Sequence, residues 1–140
     1  ITTPDAGGMS RAVQGALDDA GIKAEQVDYI NAHGTGTRAN DVTETKALYQ
    51  VLGSRAATVP TSSSKSMFGH LLGGAGALET VATVLALREQ KAPPTMGYLG
   101  ADPDCPLDVV PNTARAMPMQ IALKNSFAFG GLNAVLALHR

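Results

Sequence analysis

The 140-residue sequence has a single cysteine. A lone thiol excludes an internal disulfide and fits a reducing, cytoplasmic setting. Charge is also scarce, with 16% charged residues against about 25% in ordinary soluble domains. The net charge of −1 leaves no basic footprint for nucleic acid. No apolar run is long enough to span a membrane, and no signal-peptide pattern opens the chain. Histidine and cysteine lie in distant segments, which is not the spacing of a zinc site, so no metal is expected. What is abundant is apolar residue (44%) and glycine, 15 in all. The length suits one domain with a real core. Low charge with high apolar content predicts extra surface buried against something else. The first residue is Ile rather than Met, and the chain is expected to be a piece of a larger chain or a subunit with a large apolar interface.

Local patterns predict alternating helices and strands. Ile1 to Gly8 is turn-rich. Ser10 to Ala20 reads as a helix capped by Ser10 and stopped by Gly21. Val27 to Ala32 reads as a strand. Asp41-Val42-Thr43-Glu44 has capping-box spacing ahead of a helix that runs to Leu52. Thr58 to Ser62 is a second strand interrupted by Pro60. A polar loop, Ser62 to Gly69, leads into a long helix, Leu71 to Gln90, that is apolar on nearly all sides and so reads as central and covered. Lys91 to Pro118 is proline-rich and mostly irregular, with a short strand at Leu107 to Val110. Met119 to Phe127 and Leu132 to Leu138 form a closing hairpin. The class is α/β with a mixed sheet that ends in an antiparallel hairpin.

Three loops carry candidate chemistry. Asn31-Ala32-His33-Gly34-Thr35-Gly36-Thr37 displays an imidazole and two hydroxyls just past a strand, where a rigid sheet can aim them. Read without other context, it is equally a tight turn with a chance histidine. Ser62-Ser63-Ser64-Lys65-Ser66-Met67-Phe68-Gly69-His70 places His70 at the expected helix start, where the dipole favours neutral imidazole. Glu79 on the apolar helix would be costly unpaired, and a Lys65–Glu79 pair satisfies both. The other reading puts Lys65 in solvent and Glu79 on one wet stripe. Asn125-Ser126-Phe127-Ala128-Phe129-Gly130-Gly131 sets two aromatics beside paired glycines, which suits either an open backbone N–H or an ordinary hairpin turn. Gly73-Gly74-Ala75-Gly76 lacks the Lys-Ser/Thr ending of a phosphate loop and fits close helix packing. Cys105 stands among Asp102, Asp104 and prolines, which disfavours the thiolate, so it reads as inert. His139 reads as a surface residue.

Taken together, these loops resemble the motifs of the condensing enzymes of fatty-acid and polyketide synthesis. The likeness is to the beta-ketoacyl-[acyl-carrier-protein] synthase II type of ketosynthase, in the thiolase-like superfamily, and it spans essentially the whole chain. It implies that residues 1–140 are a C-terminal ketosynthase domain, part of an α-β-α-β-α layered fold in a homodimer. The missing N-terminal half of the same chain would carry the nucleophilic Cys. The resemblance assigns His33 and His70 to the malonyl thioester carbonyl, with Lys65 paired to Glu79 in support. Thr35 and Thr37 would hold the phosphopantetheine arm. The Phe129 N–H would form half of an oxyanion hole, with Phe127, Gly130 and Gly131 in the substrate-binding turn. No cofactor is implied, because phosphopantetheine arrives on acyl carrier protein as substrate. Three departures from the pattern are Phe68, in place of a small or polar residue, and Ala128 and Leu132, in place of Gly and Thr. A non-catalytic chain-length-factor partner, a thiolase and an inert structural fragment are the alternatives. The His33 motif and Lys65 argue against the thiolase.

Overall fold

The computed structural model describes residues 3–140. In chain order the elements are α1 (Ala6–Ala20), β1 (Tyr29–Asn31), α2 (Arg38–Leu52), β2 (Pro60–Ser62), α3 (Lys65–Phe68), α4 (Ala75–Glu89), β3 (Lys91–Ala92), β4 (Asp108–Val109), β5 (Arg115–Ala116), β6 (Ile121–Phe127) and β7 (Asn133–His139). The main sheet runs β4-β2-β1-β6-β7. β1 lies parallel to both β2 and β6, β2 is parallel to β4, and β7 closes the edge antiparallel to β6. The mixed sheet and closing hairpin agree with the sequence reading. The proline-rich segment adds a small antiparallel pair, β3 with β5, that the sequence did not suggest.

Strand alternation sorts the core into two layers. Ile30 and Leu123, paired across β1 and β6, pack with Met9, Val13 and Leu17 of α1 and Ala47 and Leu48 of α2. Their neighbours Tyr29 and Ala122 pack instead with Ala86 and Leu87 of α4. The next register pair, Asn31 with Lys124, therefore also faces α4. Asn31 Nδ2 donates to the Glu79 carbonyl at 3.3 Å and to Thr83 Oγ1 at 3.0 Å. The parallel strands β1, β2 and β6 all deliver their C-terminal ends to one edge of this sandwich, where α/β folds place their sites.

Five local expectations need correction. α1 starts earlier than expected, because the Asp5 carboxylate accepts from the Gly7 and Gly8 N–H groups at 3.2 and 2.7 Å. Ser10 lies inside that helix and donates back to the Gly7 carbonyl. Thr37, not Asp41, caps α2, and Glu44 is turned away from the cap into the interior. The expected polar loop is largely interior: Ser62, Ser63, Ser64 and Lys65 are buried, and α3 begins at Lys65. The expected long helix breaks into a short 3₁₀ turn at Leu72–Gly74 followed by regular α4, since three glycines among four residues weaken helical nucleation. Nor is α4 covered all round. Leu78, Val81, Val84 and Leu85 remain 38–54% exposed, while the face carrying Glu79, Thr83, Ala86 and Leu87 is buried. Periodicity counts apolar residues without saying what covers them, and the described residues cover one side only. No helix among the described residues is long and apolar enough to cross a membrane.

Candidate active site

His33 sits just past the end of β1 with its ring held in an aromatic corner. The His70 ring meets it edge-on at 5.6 Å and 88°, and Phe127 meets it at 6.0 Å and 67°. Its loop is pinned by Glu44 of α2. The two Glu44 carboxylate oxygens accept from the His33 N–H at 2.8 Å and the Gly34 N–H at 2.9 Å. The same carboxylate accepts from Asn125 Nδ2 of β6 at 3.0 Å and Asn40 Nδ2 at 3.2 Å. One buried acid thus ties the histidine loop to a helix and to a neighbouring strand. On the other side, Ser63 Oγ donates to the Gly34 carbonyl at 2.6 Å. A Cβ at Gly34 would lie 2.6 Å from Ser63 Cβ, and its φ of +40° already disfavours a side chain, so this position requires glycine.

Lys65, at the start of α3, reaches back to the same histidine. Its ammonium donates to the His33 carbonyl at 2.6 Å and to His33 Nδ1 at 3.3 Å, and it pairs with Glu79 Oε1. An ammonium has only donors, so Nδ1 of His33 accepts and the hydrogen-bond network assigns the ring proton to Nε2. His70 is assigned the same tautomer by a different partner: the Leu72 N–H donates to its Nδ1 at 3.0 Å. His70 precedes α4 by several residues, so this hydrogen bond, rather than the expected helix start, fixes its ring. The two imidazoles therefore each keep an Nε2–H available for an acceptor.

Burial pushes His33 down from 6.5 to about 3, helped by the charges of Lys65, His70 and Lys124. Its folded-state value lies below its unfolded one, so the unfolded chain binds the proton first. The resulting stability is fully present above about pH 6.5 and falls as the pH drops toward 3. In urea denaturation of the full-length protein, wild type should lose stability relative to His33→Asn between pH 7 and pH 4.5. A constant difference across that range would refute the burial of neutral His33.

The expected Lys65–Glu79 pair is present, with a second cation that the sequence reading missed. Lys124 Nζ lies 2.7 Å from Glu79 Oε2, and both side chains are almost wholly buried. Glu44, Ser63 and Asn125 were missed too. The signal available for Lys124 was a charge inside a run of strand residues; for Glu44, capping-box spacing offered a sufficient local explanation.

Beside His70 opens a cavity of about 830 Å³ whose lining includes Thr35, Lys65, Tyr98, Leu99 and Cys105; His33 does not line it, although its neighbours Ala32 and Gly34 do. Thr35 faces it. The Thr37 hydroxyl is 2.8 Å from that of Thr35 and accepts from the Asn40 N–H as the α2 cap. Cys105 is pushed up chiefly by burial, with Asp102, Asp41 and Asp104 adding to it, in the direction expected of an inert thiol. Phe127 is buried against His33, whereas Phe129 stands 76% exposed at the hairpin tip and does not line the cavity. Gly130 and Gly131 turn that tip with φ of 80° and 79°. His139 is exposed on β7, as expected.

With this geometry in hand, known proteins offer close parallels. Residues 1–99 match the family model described as beta-ketoacyl synthase, C-terminal domain. Over 98% of the chain it is 55% identical to a Synechocystis protein named 3-oxoacyl-[acyl-carrier-protein] synthase 2, of which it covers 33%. Over its whole length it is 49% identical to nodulation protein E of a Rhizobium species, of which it covers 35%. Among solved structures, the ishigamide ketosynthase/chain length factor superposes with a TM-score of 0.95 at 48% identity, over 99% of this chain and 34% of that one. A type II polyketide ketosynthase, solved with its acyl-carrier protein and bound to the hexaketide, superposes with a TM-score of 0.94 at 42% identity, over 99% of this chain and 35% of that one. The chain thus spans about a third of the length of the relatives it matches. The structural neighbours are ketosynthases, which agrees with the thiolase-like α/β class expected from the sequence.

Proposed function

The chain belongs to the beta-ketoacyl synthase family, and from that premise we propose that the protein it helps to form is a 3-oxoacyl-[acyl-carrier-protein] synthase of fatty-acid or polyketide synthesis. The observation that carries the reading is the pair of imidazoles 5.6 Å apart, each with Nδ1 occupied by an N–H donor. Two adjacent fixed Nε2–H donors, one of them on the cavity wall, suit a reaction that builds negative charge on a carbonyl oxygen. Decarboxylation of a malonyl thioester is such a reaction. The bond to the carboxylate breaks, carbon dioxide leaves, and the electron pair becomes an enolate whose oxygen accepts from His33 and His70. The enolate carbon then attacks an acyl thioester, and the thiolate of the acylated Cys, supplied by the N-terminal half, departs with its electron pair. Donors fixed in advance need no reorganisation as the charge appears.

In this reading residues 1–140 are the C-terminal domain of a homodimeric cytoplasmic enzyme, and acyl carrier protein brings the substrate on its phosphopantetheine arm. Thr35, with Thr37 behind it, binds that arm at the cavity. The Phe129 N–H and the glycine turn of Gly130 and Gly131 complete the acyl side once the other half is in place. No further cofactor takes part.

The chain alone is expected to be inactive, because burial and the neighbouring Asp102, Asp41 and Asp104 raise the Cys105 thiol, the opposite of what an activated nucleophile needs. The test incubates the full-length protein, and separately this chain, with acyl- and malonyl-carrier protein, reading thioester by intact mass and beta-ketoacyl product. Product from the full-length protein only is the expected result. A productive acyl adduct on Cys105 would overturn the split site. A full-length protein that forms no thioester would favour the non-catalytic chain-length-factor reading.

A further inference from the structure

The charges that meet at Glu79, behind the histidines, do not balance one to one. Glu79 is a single carboxylate with a nearly inaccessible side chain, and it meets two equally buried lysines, Lys65 at Oε1 and Lys124 at Oε2. Lys124 also donates to Ser126 Oγ. It comes from β6, opposite Asn31 in the register, so it approaches Glu79 from the sheet while Lys65 approaches from α3. With Oε2 taken, Lys65 shares only one carboxylate oxygen. Its other two bonds go to the His33 carbonyl and Nδ1.

We propose that Lys124 is a positioning residue for the histidine pair: by occupying one side of Glu79 it turns the Lys65 ammonium onto His33 and leaves one more positive charge than Glu79 alone can balance beside the imidazoles. The inference deepens the decarboxylation reading and rests on it for its kinetic consequence. At rest the Lys65–Glu79–Lys124 group by itself carries one excess positive charge in a poorly solvated setting, which is a cost to the folded state; the other buried carboxylate at His33, Glu44, is engaged by N–H donors and pairs with neither lysine. An enolate forming on the imidazole N–H groups compensates that charge. The excess charge is thus unfavourable in the ground state and favourable as negative charge develops, which is the difference that accelerates a step.

The charged and titratable groups around His33 are Lys65 from α3, His70 from the loop after it, Lys124 from β6, Glu79 from α4 and Glu44 from α2. Removing Lys124 removes one positive neighbour, so His33 protonates at higher pH. Protonation at Nδ1 would set a ring N–H against the Lys65 ammonium and break the contact that aims the ring.

The test compares full-length wild type with Lys124→Met and Lys124→Arg in three measurements: melting temperature, malonyl-carrier-protein decarboxylation rate, and His33 titration by NMR of 15N-histidine. Lys124→Met leaves a matched Lys65–Glu79 pair, so its melting temperature should equal or exceed that of wild type. Its decarboxylation rate should fall about tenfold and the His33 titration should move up by about one pH unit. Lys124→Arg keeps the charge and should recover most of the rate. A wild-type rate in Lys124→Met would overturn the proposal, as would a lowered melting temperature with an unmoved His33 titration, since those are the marks of a structural lysine. If wild type itself does not decarboxylate malonyl-carrier protein, the reaction reading falls. The placement of Lys124 then stands or falls on the melting temperature and the His33 titration, which need no turnover.

Discussion

Replacing His33 or His70 by alanine in the full-length enzyme should lower malonyl decarboxylation by about 10²-fold or more, the loss expected for one positioned donor. Acyl loading should suffer less, because in the proposed reaction a Cys outside this chain takes up the acyl group. The two variants should differ in stability. His33 is buried against Phe127 and receives the Lys65 ammonium, so its truncation opens a hole and strips a partner from a buried cation. His70 is exposed and gives up one bond from a backbone N–H. His70→Ala should therefore keep a melting temperature near that of wild type while losing decarboxylation, which makes it the cleaner measurement. Single-turnover release of labelled carbon dioxide separates the two steps. Unchanged rates in both variants would remove the imidazoles from the chemistry.

Glu79→Ala should be the most damaging single change to the fold. It leaves Lys65 and Lys124 as two buried ammonium groups with no carboxylate between them. Breaking a buried pair by removing one partner costs about 3–5 kcal/mol, and here the carboxylate removed serves two cations. Substituting either lysine alone is milder, because a one-to-one pair survives. Urea denaturation of the full-length protein should rank Glu79→Ala well below Lys124→Met. The double variant should recover part of the loss, because one of the stranded charges is gone. A Glu79→Ala protein within about 1 kcal/mol of wild type would mean that water reaches the cluster and the charges are not sequestered.

The contrast between Glu79 and Glu44 marks where sequence reasoning reached and where it stopped. Glu79 was legible because an acid on an apolar helix demands a partner, and Lys65 was the cation at hand. The histidine loops were legible because glycines, hydroxyls and imidazoles cluster within a few residues. Glu44 had a plausible local duty as a capping-box residue, and nothing nearby indicated that its carboxylate would accept from the His33 and Gly34 N–H groups instead. Thr37 took the capping duty. Lys124 required the pairing of β1 with β6, a register fixed by strands distant in sequence. The glycine cluster before α4 was read as helix because leucines on either side kept the periodicity going, whereas the backbone spent those residues on a 3₁₀ turn that places Leu72 N–H on His70.

The Glu44 clamp also sets an order of assembly. Its acceptors gather the His33 loop with Asn125, which lies 81 residues beyond Glu44. The histidine loop is synthesised well before β6, yet two of its supports, Lys124 and Asn125, arrive only with that strand. Contacts of such long sequence separation form late and slowly, because the intervening chain must be closed first. Before the last hairpin docks, α1 and α2 can pack on each other, while Glu44 and Lys65 must stay hydrated and the imidazoles are not yet aimed. The site is consequently a late product of folding, and a ribosome stalled, or a chain cut, before residue 125 would leave helices without a catalytic geometry.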